Sequence, residues 1–138
     1  MDKALNKQII TNEAIAGIIL GIFGAIPVIN VLALFALFTL TGIWALRQYL
    51  VREKRELEIR ETAILSAGGG IIASFCACVV FIPVSLIFNV YGFSDLLNGV
   101  NLLVLIFLSF FFSLICAMTN AFVGSVFIYV YNTFNKQR

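Results

Sequence analysis

Residues 47–61 read RQYLVREKRELEIRE; on either side, at 14–46 and 62–94, stand 33 residues without a single Asp, Glu, Lys or Arg. A third such run, 40 residues long, covers 96–135. One helix crosses a bilayer core with about 20 apolar residues, so each run has room for at least one crossing. All nine basic residues lie in three clusters: Lys3 and Lys7; Arg47, Arg52, Lys54, Arg55 and Arg60; Lys136 and Arg138. Basic clusters stay on the cytoplasmic side of a membrane, which requires an even number of crossings between consecutive clusters. The expected fold is an all-α integral membrane protein of four transmembrane helices, two hairpins with both termini cytoplasmic, forming one domain over 1–138. The expected helices are 11–25, 30–49, 62–89 and 101–131. A three-helix arrangement would strand the five bases of the central island outside.

Composition points the same way. Of 138 residues, 62% are hydrophobic and 12% charged, about half the charge of a soluble domain. Mean hydropathy is +1.06. A chain this short cannot hide so much apolar surface in a soluble core. It is equally unlike a disordered tail or a disulfide-stapled secreted domain. A net charge of +2 gives no footprint for nucleic acid, so the expected partners are the lipid bilayer and other membrane chains, including further copies of this one. No small-x-small cleavage site closes a short apolar core at the N-terminus, which favours a prokaryotic cytoplasmic membrane.

Local signals refine the helices. Asn12 and Glu13 read as the start of the first helix, an amide cap followed by a carboxylate on the helix dipole. In that reading Glu13 sits at the membrane interface beside Lys7 rather than acting as an ion-coupling carboxyl. Seventeen residues from Thr11 to Pro27 make about 25 Å of helix, slightly short of a core of about 30 Å, so the first hairpin is either spanning or re-entrant. Pro27 is expected to stop the first helix. Pro83 is expected to kink or break the third near 81–84, with Ser85 taking up a freed carbonyl. Ser94 and Asp95 can cap a short stretch before the fourth helix. In the island, Arg52/Glu56, Lys54/Glu58 and Glu56/Arg60 are opposite charges four apart, compatible with a helical extension of the second helix. Its charges nearly cancel, so the island reads as a solvated connector. The functional alternative is a docking surface on Arg52, Lys54, Arg55 and Arg60.

The clearest pattern is small residues at every fourth position. The fourth segment carries Ser109, Ser113, Ala117, Ala121 and Ser125, with Cys116, Asn120 and Gly124 alongside. The third carries Ser66, Gly70, Ser74 and Cys78, and the first carries Gly17, Gly21 and Ala25. Lipid offers no hydrophobic drive between helices, so close backbone approach and interhelical hydrogen bonds must join them. Three such faces are somewhat more than one four-helix unit needs, which argues for an oligomer or a larger complex. Asn120 is the most polar group deep in a span. Its expected role is a hydrogen bond to Ser66, Ser74 or Thr119, with pore lining or an intersubunit contact as alternatives.

The chemistry of catalysis is not legible. The sequence has no histidine, so imidazole-based metal ligation and Ser–His or Cys–His catalysis are excluded. The triple glycine at 68–70 lacks the Lys-Ser/Thr of a phosphate loop. Cys76, Cys78 and Cys116 read as small buried thiols. No catalytic residue, cofactor or metal site is expected. Trp44, Tyr129 and Tyr131 suit interfacial anchoring.

Two short stretches carry partial resemblances to known families. Pro27, Trp44, Arg47-Gln48-Tyr49-Leu50 and Arg55-Glu56-Leu57 resemble the second-helix exit of the thylakoid curvature-inducing family, which implies a lipid-shaping hairpin. The first helix departs from that family's pattern. Residues 120–125, NAFVGS, resemble one helix of the small fluoride-channel family, but the Thr/Ser/Phe motif that would line its pore is missing. Neither transfers a residue role. The leading expectation is a non-enzymatic structural or accessory subunit of a membrane complex or homo-oligomer. The alternatives are a small channel or transporter with its pathway between protomers, and a lipid- or curvature-organising hairpin.

Overall fold

A computed structural model describes residues 3–53, 57–92 and 100–135. Among them the chain is all-helical, without strands. Helix α1 is Lys3–Gly24; α2 (Ile29–Phe35), a π-helical turn (Ala36–Leu40) and α3 (Thr41–Glu53) run on as one rod; α4 is Ile59–Ile87; a 3₁₀ turn spans Val90–Gly92; α5 is Leu102–Asn135. Three rods are long and apolar enough to cross a membrane: Ile29–Val51, Ile59–Ile87 and Leu102–Phe134. This is the architecture of a membrane protein. Helix α1 is not among the three, because Lys7, Asn12 and Glu13 interrupt its apolar run. Its 22 residues are nonetheless about 33 Å long, so the expectation of a short first helix does not hold.

The largest interfaces are α4 with α5 and α1 with α4. Helix α4 is therefore the central strut. The ends of the rods that carry Lys7, Arg47 and Arg60 gather at one end of the bundle. There Ile9, Leu46, Tyr49, Leu57 and Ile128 form a buried cluster, and the Asn132 amide lies 3.4 Å from the Leu57 carbonyl.

Several boundaries differ from the sequence reading. Asn12 and Glu13 do not start α1; they lie in its interior. The favourable intrahelical hydrogen bonds continue outward through Lys7, whose carbonyl accepts the Thr11 hydroxyl at 2.8 Å. The helix does extend past 49, with α3 described to Glu53, but the island is not one continuous helix: Leu57 and Glu58 are non-helical, and Glu58 caps α4 in a reciprocal box with Glu61. The Glu58 N–H donates to Glu61 at 3.4 Å, the local signature of a helix start. Lys54, Arg55, Glu56 and the Ser94–Asp95 cap fall outside the described residues. Pro83 does not break α4, which runs through it to Ile87, and Ser85 takes up no freed carbonyl: its hydroxyl is buried without a partner. One missing N–H donor is tolerable near a helix end where neighbouring rods hold the backbone.

The first helix stops before it reaches Pro27. Helix α1 ends at Gly24, and Ala25 and Ile26 donate their N–H groups three residues back, at 3.1 and 3.0 Å. The turn then needs a left-handed residue, and Val28 supplies it at φ 77° while 88% exposed. A β-branched residue is a poor occupant of positive φ, at a cost of about 1–3 kcal/mol. Val28→Gly is therefore expected to stabilise the hairpin by about 0.5–1 kcal/mol after the added unfolded-state entropy of glycine. A thermal unfolding series in detergent, with the midpoint rising by a few degrees, is the check; a fall would show that the valine side chain contributes more than its backbone strain costs.

Candidate functional site

Two buried polar centres adjoin successive glycines of α4, one at Gly70 and one at Gly69. The first is built on Asn120. The π-helical turn at 36–40 shifts the backbone ladder, so that the Thr41 N–H reaches back to Ala36. At this break the Asn120 carboxamide enters from α5. Its oxygen accepts the Gly42 N–H at 2.7 Å and the Thr41 hydroxyl at 3.2 Å. Its nitrogen donates to the Leu37 carbonyl at 2.7 Å and to the Cys116 carbonyl of its own helix at 2.8 Å. A side chain that matches both a donor and an acceptor of a displaced ladder is a known cause of such bulges. Asn120 is fully buried. Its approach depends on missing side chains: a Cβ on Gly42 would lie 2.7 Å from the Asn120 oxygen, and one on Gly70 2.8 Å from its nitrogen.

The partners expected from the sequence are Ser66, Ser74 or Thr119. The interhelical partners are instead on the second rod. Ser66, fully buried, packs against Gly124 and has no hydrogen-bond partner. Ser74 turns back to the Gly70 carbonyl at 2.5 Å. Thr119 bonds within its own helix. The signal that pointed to the true site is Thr39-Leu40-Thr41-Gly42, a polar and small interruption of an apolar run.

The small-residue faces meet inside the chain over much of their length. Gly17 and Gly21 of α1 lie against Ala73 and Ala77 of α4 so closely that a Cβ on Gly17 would overlap the Ala73 carbonyl and one on Gly21 would lie 2.6 Å from that of Ala77. Cys116, Ala117, Ser113 and Gly124 of α5 are buried, and Ala121 and Ser125 are half-buried. Ser109, Ser113 and Ser125 each donate to the carbonyl four residues earlier at 2.8 Å. Toward the other end the rods part. A cleft of about 400 Å³ opens there, with Gly24, Ala33, Ala77, Phe81, Ser109 and Phe112 on its walls. The residues of α5 around Ser109, including Phe107, Phe110 and Phe111, are mainly exposed.

The second polar centre is Glu13, which the sequence reading had put at the interface. It is fully buried, packed on Gly69, ten residues inside α4; a Cβ on Gly69 would lie 3.6 Å from its carboxyl carbon. Gln48 approaches one carboxyl oxygen at 3.5 Å and itself accepts the Asn12 amide at 2.6 Å. The other oxygen has no hydrogen-bond partner.

Of the proposed docking residues, Arg60 is exposed, and nothing is described of the side chains of Arg52, Lys54 and Arg55. Arg47 lies 5.8 Å over the Trp44 ring, and Tyr129 and Tyr131 are exposed near the same end. Among the described residues no group of three or more metal-ligating side chains occurs. Comparison with protein-family models, with curated proteins and with solved structures finds no match.

Proposed function

We propose that the chain is a non-enzymatic membrane subunit, working in a homo-oligomer or a larger membrane complex, with a helix of another chain seated in its open cleft. The observation that carries this reading is where the small-residue faces run out. From Ser113 to Ser125 the face of α5 is used within the chain, but at Ser109 it borders the cleft. Small residues on the walls of an apolar cleft allow the close approach on which helix association in lipid depends. The sequence gives no histidine for imidazole chemistry, in keeping with a non-catalytic role. By the charge rule, the end bearing Lys7, Arg47 and Arg60 faces the cytoplasm. A pathway between protomers lined by Asn120 is the weaker reading, because that side chain has no capacity left for a second chain.

The test is native mass spectrometry of the particle released from lipid nanodiscs. A closed homo-oligomer or a stoichiometric second chain is the expected result, and Ser109→Trp should abolish it by filling the cleft. A clean monomer of 15.2 kDa under conditions that preserve lipid binding would overturn the proposal.

A further inference from the structure

The geometry points to Glu13 as a proton-exchange site that opens to the basic end of the bundle. The feature is separate from the cleft and holds whether or not another chain seats there. Helix α1 turns a line of polar side chains toward that end: Glu13, then Asn12, then Asn6 seven residues from Glu13 and so on the same face. Gln48 of α3 bridges Glu13 and Asn12 through the contacts at 3.5 and 2.6 Å. The Asn6 side-chain oxygen and the second Glu13 oxygen are both buried without partners. Ile9, between the two orphaned acceptors on that face, is buried in the apolar cluster, so the polar file from Glu13 runs beside it, through the half-buried Gln48 and Asn12.

The file ends at Glu13. One turn further, Gly17 meets the Ala73 backbone, and beyond it lie Leu20, Leu37 and Phe112 at the apolar cleft. The polar atom on that side is the Thr41 carbonyl oxygen, which like the Glu13 carboxyl carbon would lie 3.6 Å from a Cβ on Gly69; a carbonyl can accept from the protonated acid but cannot pass a proton onward.

Among the described side chains none offers a counter-charge. The single hydrogen bond of Glu13 among the described residues is the long one from Gln48. On its own helix, Lys7 is exposed. On α3, Arg47 is exposed over Trp44, and the Tyr49 ring is in the apolar cluster at the bundle end. On α4 the groups against Glu13 are Gly69 and, nearby, the apolar Ala73, while Arg60 and Glu61 are exposed at the helix start. A buried carboxylate without a partner is costly; the neutral acid removes that cost by taking one proton onto the unpartnered oxygen. An ionisable group placed this way inside a membrane bundle is more often functional than structural. The step is a simple association of a proton with that oxygen, delivered from and returned to the solvent at the basic end.

The test uses the full chain in lipid nanodiscs and the apolar reagent dicyclohexylcarbodiimide. It adds to a protonated carboxyl and rearranges to an N-acylurea with no leaving group, and peptide mass mapping locates the adduct. The expected result is an adduct at Glu13 whose rate of formation falls at least tenfold as pH is raised from mildly acidic to alkaline, absent in Glu13→Gln. The wild-type pH series stands alone if that variant fails to fold. No adduct at Glu13 at any pH, or one formed at a pH-independent rate, would overturn the proposal. So would protection by sodium but not by potassium at fixed pH and ionic strength, which would make the site one for a metal cation.

Discussion

Replacing Gly17 by valine is expected to separate α1 from α4 and to destabilise the bundle by about 3 kcal/mol or more. At this crossing an added Cβ overlaps the Ala73 carbonyl, which is backbone and cannot rotate away. Relief requires the helices to move apart, and that loses the neighbouring approach of Gly21 to Ala77 as well. Overpacking of a fixed interface ordinarily costs about 1–3 kcal/mol, and a rigid backbone neighbour puts this site at the upper end. Gly68→Ala is the internal control. A Cβ there meets nothing within 4 Å, and alanine is the better helix former by up to about 1 kcal/mol. Denaturant-induced unfolding in mixed micelles should show Gly17→Val far less stable than wild type and Gly68→Ala equal or slightly more stable. Equal loss in both would mean that the α1–α4 contact is not as close as described.

Asn120→Leu is expected to cost about 3–4 kcal/mol. Three of its hydrogen bonds cross from α5 to the second rod, to Gly42, Thr41 and Leu37. Interhelical side-chain bonds in membranes average about 0.6 kcal/mol each. The larger contribution is what remains: a buried Gly42 N–H left without its acceptor, worth a further 1–3 kcal/mol or so. The Leu37 carbonyl is less affected, because the Thr41 hydroxyl still donates to it at 3.1 Å. Leucine is also bulkier beside Gly42 and Gly70. The same unfolding measurement applies, and amide hydrogen exchange should rise selectively across residues 37–42. A loss below about 1 kcal/mol would mean that water or another side chain already serves the π-helical turn.

The sequence carried the helical rods because their physics is one-dimensional. Uninterrupted apolar runs, separated by a charged island, leave little freedom in where helices lie, and the second, third and fourth rods fall within a few residues of the expected bounds. The first was misjudged at Asn12 and Glu13. Both residues are good at helix starts, and nothing local distinguishes a capping carboxylate from one buried by a facing glycine. Gly69, 56 residues away, makes that space. Asn120 was visible as an unusual side chain, but its partners were not. A backbone N–H and C=O carry no side-chain signature, and the π-helical turn that presents them arises from the packing of α5 on the second rod. The spacing of small residues likewise marked Gly17, Gly21 and Gly124 as sites of close approach, while which helix each one meets is a three-dimensional outcome.

The hydrogen bonds of Asn120 complete the π-helical turn of its own chain. Isotope-filtered NMR in detergent micelles tests it most directly, by looking for a cross-peak between the Asn120 side-chain amide protons and the Gly42 amide proton. That cross-peak is expected in uniformly labelled protein, with none in an interchain-filtered experiment on a mixture of differently labelled chains. Its absence from the uniform sample, or its appearance only between chains, would show that Asn120 does not serve the turn of its own chain.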